Sequence, residues 1–198
     1  MKNIPPKSDR IQDERAMLAV ECARSYWEAR DQGRKFIYSG GNTFLNGGAL
    51  NDNSGAGLID CSTYMFLVLC GIAYEASPYN SGQLYLKCTY GYGDSQMLRS
   101  IKSKQQYRYA ADLAKYFARF YRCFRDASYL KPGDLTFHSG RYTSRFMSIT
   151  HIGMVAEDTD YFYNATNVEN VVVRSRLSVR NDIVFYARPK YNGRAIWQ

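Results

Sequence analysis

Residues 57–72 read GLIDCSTYMFLVLCGI, and this stretch decides how the chain folds. From Thr63 to Cys70 the residues are largely apolar, and the run stops at Gly71, which predicts a short helix buried on most sides. In front of it stands Asp60-Cys61-Ser62. Before that lies IYSGGNTFLNGGALNDNSGAG, residues 37–57, a loop too rich in Gly and Asn to pack as a helix or strand interior. A cysteine in the first turn of a helix faces unpaired backbone N–H groups, which favour its thiolate. The same groups can hold the oxyanion of a tetrahedral intermediate. Cys61 is therefore the candidate nucleophile, and a reactive thiolate is expected there.

Working outward, residues 11–31 carry Leu18, Cys22, Tyr26 and Ala29 at helical spacing, with Gly33 as a stop. Residues 75–104 are weakly patterned, with turn signals in SPYNSG and YGYGDS. The segment YRYAADLAKYFARFYRCF (107–124) predicts an amphipathic helix with Ala110, Leu113, Ala114, Phe117, Tyr121 and Phe124 on its apolar face. Arg108, Lys115, Arg119, Arg122 and Arg125 form the other, a solvated cationic face. After the turn LKPGD come five strand-like runs: DLTFH, ITHIGMVAE, DYFYNAT, NVVVRSRLS and DIVFYARP. Helices first and an antiparallel sheet of about five strands second make an α+β arrangement.

A thiol nucleophile needs a base, and there are only two histidines. His151 lies in a strand whose alternation puts His151, Gly153 and Val155 on one face. Asn164 in the next strand offers an amide to orient the imidazole, as in Cys-His-Asn sites. His138 is assigned a structural role, with the fallback role of base.

The 198 residues suit one domain, and 45% apolar content is enough for a core. The 18 tyrosines are expected mostly as half-buried packing. A net charge of +8 favours an anionic partner, but it comes with no recognised nucleic-acid-binding motif, so no nucleic acid partner is expected. Five cysteines without regular spacing exclude a disulfide framework or a CxxC zinc site; Cys22, Cys70 and Cys123 fit small core positions in helical patterns. The longest apolar run, YMFLVLCGIAY, is too short to span a membrane. No apolar segment follows the basic start, so no secretory signal is expected.

In their order, these motifs resemble the NlpC-type cell-wall peptidases, small papain-like cysteine hydrolases that cut peptidoglycan stem peptides. Over residues 16–188, FIYSGG is similar to the family's aromatic-glycine stretch, and DCSTYMFLVLCGI to its nucleophile helix. LKPGDLTF, THIGMV, YFYNAT and VFYARP resemble its turn, its histidine strand, the strand of its third polar residue and its closing strand. The resemblance implies a papain-like α+β domain over residues 1–198, with an enlarged helical insertion at about 75–128. It implies Cys61 as nucleophile, His151 as base and Asn164 as orienting group. Asp60 and Ser62 would hold a substrate amine, joined by an aromatic residue, Tyr38 or Phe36, near the glycines. Three features depart from the family pattern: Thr63 in place of Gly, a wider spacing from His151 to Asn164, and the long segment before LKPGD.

The function so implied is hydrolysis of stem peptides at the D-glutamyl–diamino acid bond, with no metal or cofactor. Delivery to the wall would be by lysis, a phage or a secretion system; otherwise the place of action would be the cytoplasm. A cell-wall amidase or acyltransferase on the same scaffold is the alternative, and so is a non-catalytic wall- or phage-associated protein that kept the fold.

Overall fold

The computed structural model describes residues 4–31, 36–38, 57–69, 71–75, 83–86, 109–120, 122–167 and 171–191. Loop residues 39–56, Cys70, Cys88, Arg108, Tyr121 and much of the 75–128 segment lie outside the described residues.

Helix α1 (Arg10–Asp31) begins at Asp9, whose Oδ1 accepts from the Gln12 N–H at 2.8 Å, an N-cap. Its buried stripe is Ala19, Cys22, Ala23 and Tyr26; Leu18, expected on that face, is exposed. Small residues on the stripe let α1 approach its neighbours closely, and the larger Leu18 is turned outward. Helix α2 (Cys61–Leu69) is enclosed almost all round, as its apolar run demands. The Tyr64 hydroxyl donates to Ala23 O at 2.5 Å and ties α2 to α1. Around that bond Tyr26 packs on Tyr64, Phe36 and Tyr74, so these tyrosines serve the core.

Helix α3 (Ala110–Arg119) starts where Asp112 reaches back to accept from the Tyr109 N–H at 2.9 Å. Ala110, Leu113, Ala114 and Phe117 are buried, and Lys115 and Arg119 exposed, on the faces the sequence assigns them. The helix ends earlier than expected. Cys123–Phe124 is not helical but forms β5, paired with Ala187 and Tyr186. An open sheet edge supplies backbone partners there that a helix would forgo. Arg122 accordingly leaves the solvated face, and its Nε donates to Arg188 O at 2.8 Å.

Two short pairs flank α2: β1 (Phe36–Tyr38) runs parallel to β2 (Gly57–Ile59), and β3 (Ile72–Glu75) antiparallel to β4 (Gln83–Leu86). The main sheet comprises β5, β6 (Leu135–Ser139), β7 (Ile149–Val155), β8 (Tyr161–Ala165), β9 (Val172–Arg176) and β10 (Ile183–Ala187), in the order β5-β10-β6-β7-β8-β9. Every neighbouring pair is antiparallel. The five strand-like runs are thus all strands, and the two-residue β5 makes a sixth. The fold is α+β, with α1, α2 and α3 packed against this sheet.

The turn Lys131-Pro132-Gly133-Asp134 opens the sheet. The Asp134 N–H donates to Lys131 O at 3.1 Å and Gly133 has φ +84°, the geometry of a type II turn after proline. Glycine is needed twice over, because a Cβ there would stand 2.9 Å from Ala16 Cβ of α1.

Candidate active site

Asp60 is the N-cap of α2. Its Oδ1 accepts from the Thr63 N–H at 2.6 Å and from the Ser62 hydroxyl at 2.9 Å. Cys61 follows as the first helical residue, buried at the junction of α2 and β7. Its sulfur lies 3.9 Å from Thr150 O and takes a hydrogen bond from the Ile152 N–H, so backbone on both sides of His151 meets it.

Register brings the other two residues together. Gly153 of β7 stands opposite Asn164 of β8, which makes His151 the diagonal neighbour of Asn164 on the same face. The side chains close that diagonal, with His151 Nε2 3.0 Å from Asn164 Oδ1. Asn164 is itself held, because its Nδ2 donates to Ser175 Oγ at 3.0 Å and toward Val173 O at 3.5 Å. A backbone carbonyl only accepts, so this end of the amide is the NH₂ and the oxygen faces the imidazole. Nε2 therefore carries the proton, and Nδ1 is the lone-pair nitrogen. Ser175 was missed from the sequence. The alternation of β9 puts it on the face of Val173, but only the pairing with β8 brings it to Asn164.

Of the two aromatic candidates near the glycines, Tyr38 is the one at the thiol, with its hydroxyl 3.8 Å from Cys61 Sγ. Phe36 packs into the core against Tyr26 and Tyr74. Burial, and then the adjoining thiol, push the Tyr38 hydroxyl pKa up, so it remains a neutral donor. His138 has no free nitrogen: Nδ1 is 3.2 Å from Asp182 Oδ1 and Nε2 2.9 Å from Thr136 Oγ1. The fallback base is thereby excluded.

The electrostatics correct one expectation. Burial and the Asp60 charge push the Cys61 thiol up to about 11, against the donors Tyr38, Ile152 N–H and Ser62 N–H. The helix N-terminus does not win here, because Asp60 caps it with negative charge and the sulfur is withdrawn from water. Burial, and then His138 alongside, hold the His151 imidazole down at about 3, although Asn164 favours its charged form. Both groups thus rest neutral, a protonated thiol on α2 and an unprotonated imidazole on β7.

These imidazoles also set a pH dependence. Burial pushes His138 down to about 4, so between there and the ordinary value of 6.5 the unfolded chain binds a proton that the folded one does not. Stability is then fully present above pH 6.5 and falls with acid toward pH 4, by about 1.4 kcal/mol per pH unit for an enclosed imidazole. His151, held down by burial in the same way, adds to this fall. Urea unfolding between pH 7 and 4.5 measures this slope; a flat profile would contradict two buried neutral imidazoles.

Among the described residues no group of three or more His, Cys, Asp or Glu side chains could hold a metal, and Cys22, Cys61 and Cys123 are thiols outside any disulfide. No helix among them is long and apolar enough to cross a membrane.

No family model and no curated protein matches the sequence. Among solved structures, the chain is similar to NlpC2 from Trichomonas vaginalis, with 15% identity and a TM-score of 0.42 over 92% of this chain. It is also similar to a lipoprotein-like protein of the NLP/P60 family from Staphylococcus aureus, with 16% identity and a TM-score of 0.47 over 97% of this chain. Both names carry the family that the motifs resemble. The chain spans 48% and 46% of those two chains, about half of each.

Proposed function

We propose that the chain is a cysteine peptidase acting on peptidoglycan stem peptides, at the bond between D-glutamate and a diamino acid. The observation that carries this is the bond from His151 to Asn164, made where backbone on both sides of His151 meets the Cys61 sulfur. The motif resemblance supplies the substrate class.

In this mechanism the Cys61 sulfur attacks the peptide carbonyl carbon as its proton passes to Nδ1 of His151. Asn164 accepts from Nε2–H throughout and stabilises the imidazolium that forms. Backbone N–H groups at the start of α2 hold the oxyanion. Collapse breaks the C–N bond, and the leaving amine takes the proton from His151. Water, deprotonated by His151, then cleaves the thioester, releasing a carboxylate and restoring the thiol. Because the resting thiol is neutral, proton transfer accompanies attack; no stored thiolate is required.

The test is digestion of purified peptidoglycan by wild type and Cys61→Ala, with mass spectrometry of the fragments. Products with new termini at the glutamyl–diamino acid bond, absent with the variant, are expected. Cleavage between sugar and peptide would assign an amidase instead. A second reading, a non-catalytic wall-associated protein, draws on the burial of Cys61, 4% exposed. Intact peptidoglycan after prolonged incubation would favour it.

A further inference from the structure

The face of the sheet that carries His151 continues past it. His138 of β6 stands directly opposite His151, and their ring centroids are 5.2 Å apart with planes inclined at 63°. His138 is completely buried and clamped at both nitrogens. Asp182 accepts from Nδ1–H, and the Thr136 hydroxyl donates to Nε2. Asp182 is fixed in turn by Arg180, whose Nε and Nη2 donate to its two oxygens at 2.9 and 2.5 Å. On the other side the ring of Phe162 is stacked on His138, centroids 5.2 Å apart and planes 27° from parallel. That ring passes over Gly153, where a Cβ would stand 2.5 Å from Phe162 Cδ2.

A single hydrogen bond from Nε2 to Asn164 leaves the His151 ring free to swing about that contact, since histidine χ2 has a broad minimum. A second rigid contact on the ring removes this freedom. An imidazole bonded at both nitrogens has a fixed orientation that a phenyl group, with no hydrogen bonds, would lack.

We propose that His138 is a positioning residue, which holds the His151 imidazole at the angle where Nε2 meets Asn164 and Nδ1 is left for the Cys61 thiol. Thr136, Asp182 and Phe162 orient His138 for that task. Its consequence for turnover rests on the peptidase function above; its effect on the His151 ring does not.

Two readouts on the full chain test this. In ¹⁵N-histidine NMR, wild type shows His151 as a single neutral tautomer protonated at Nε2. His138→Phe keeps an aromatic ring, slightly larger than imidazole, and loses both hydrogen bonds. It is expected to show mixed His151 tautomers, with kcat on a stem peptide down by about 10- to 100-fold and KM within about twofold. Asp182→Ala, at a partly exposed position, is expected to show the same signature more weakly, and it replaces His138→Phe should that variant not fold. A folded variant with the wild-type tautomer and kcat within about twofold of wild type overturns the proposal. Wild type without hydrolysis would sink the peptidase function alone. The tautomer comparison would then decide the role of His138 by itself: mixing supports it, and an unchanged tautomer overturns it.

Discussion

Asp134→Ala is expected to lower folding stability by about 3–5 kcal/mol, a large share of the total for a domain of this size. Asp134 is 2% exposed and receives a bidentate guanidinium, with Arg188 Nε at 2.9 Å from Oδ1 and Nη2 at 2.8 Å from Oδ2. The Arg188 Nη2 also donates to Tyr129 O at 2.6 Å, and Nη1 to Pro6 O at 3.3 Å. One ion pair thus joins the turn that opens the sheet, the end of its closing strand β10, and the segment leading into α1. Removing the carboxylate leaves a buried cation whose remaining hydrogen bonds go to neutral carbonyls, beside the Phe124 ring. Most of the loss comes from that stranded charge, so an apolar pair of similar volume, Asp134→Leu with Arg188→Met, is expected to recover much of it. Urea denaturation of wild type, the single variant and the double variant measures all three. A loss below about 1 kcal/mol for the single variant would mean that water reaches Arg188.

His151→Ala is expected to reduce peptide cleavage by about 10²- to 10⁴-fold, the usual contribution of a general base, and Cys61→Ala to abolish it. Labelling of the resting protein with iodoacetamide gives a sharper signature. With the thiol pushed up to about 11, Cys61 is expected to label more slowly than an ordinary free thiol at pH 8. Its rate should also change little in His151→Ala, because the imidazole is neutral and carries no charge to stabilise a thiolate. Peptide mapping by mass spectrometry separates Cys61 from the other cysteines. Fast labelling at pH 6 that disappears in His151→Ala would reveal a preformed ion pair and overturn the neutral resting state.

How much of this was legible beforehand can be argued residue by residue. The expected role of Asp60 and Ser62, holding a substrate amine, was drawn from resemblance. In the resting structure they bond to each other, and Asp60 caps α2, a local use that an acid before a helix allows on its own. Tyr121 and Phe124 continue the helical period after residue 107, whereas pairing with β10 claims Cys123 and Phe124 for the sheet. Leu18 was misplaced by one position round α1, since spacing alone cannot distinguish neighbouring faces when small residues line the contact.

Local sequence specifies the buried helix at Cys61, the turn at Lys131–Asp134, five of the six strands of the main sheet and the face that His151 shares with Gly153. Each is a local signal, carried by period, proline and glycine within a few residues. Packing and strand pairing are what bring Tyr38 rather than Phe36 to the thiol, set Ser175 behind Asn164 and clamp His138 beside His151. Burial and the Asp60 charge likewise push the thiol up, toward its protonated form. Those outcomes depend on strand register and on the withdrawal of water from groups far apart in the chain, and desolvation at Cys61 outweighs the helix amides that local sequence supplies.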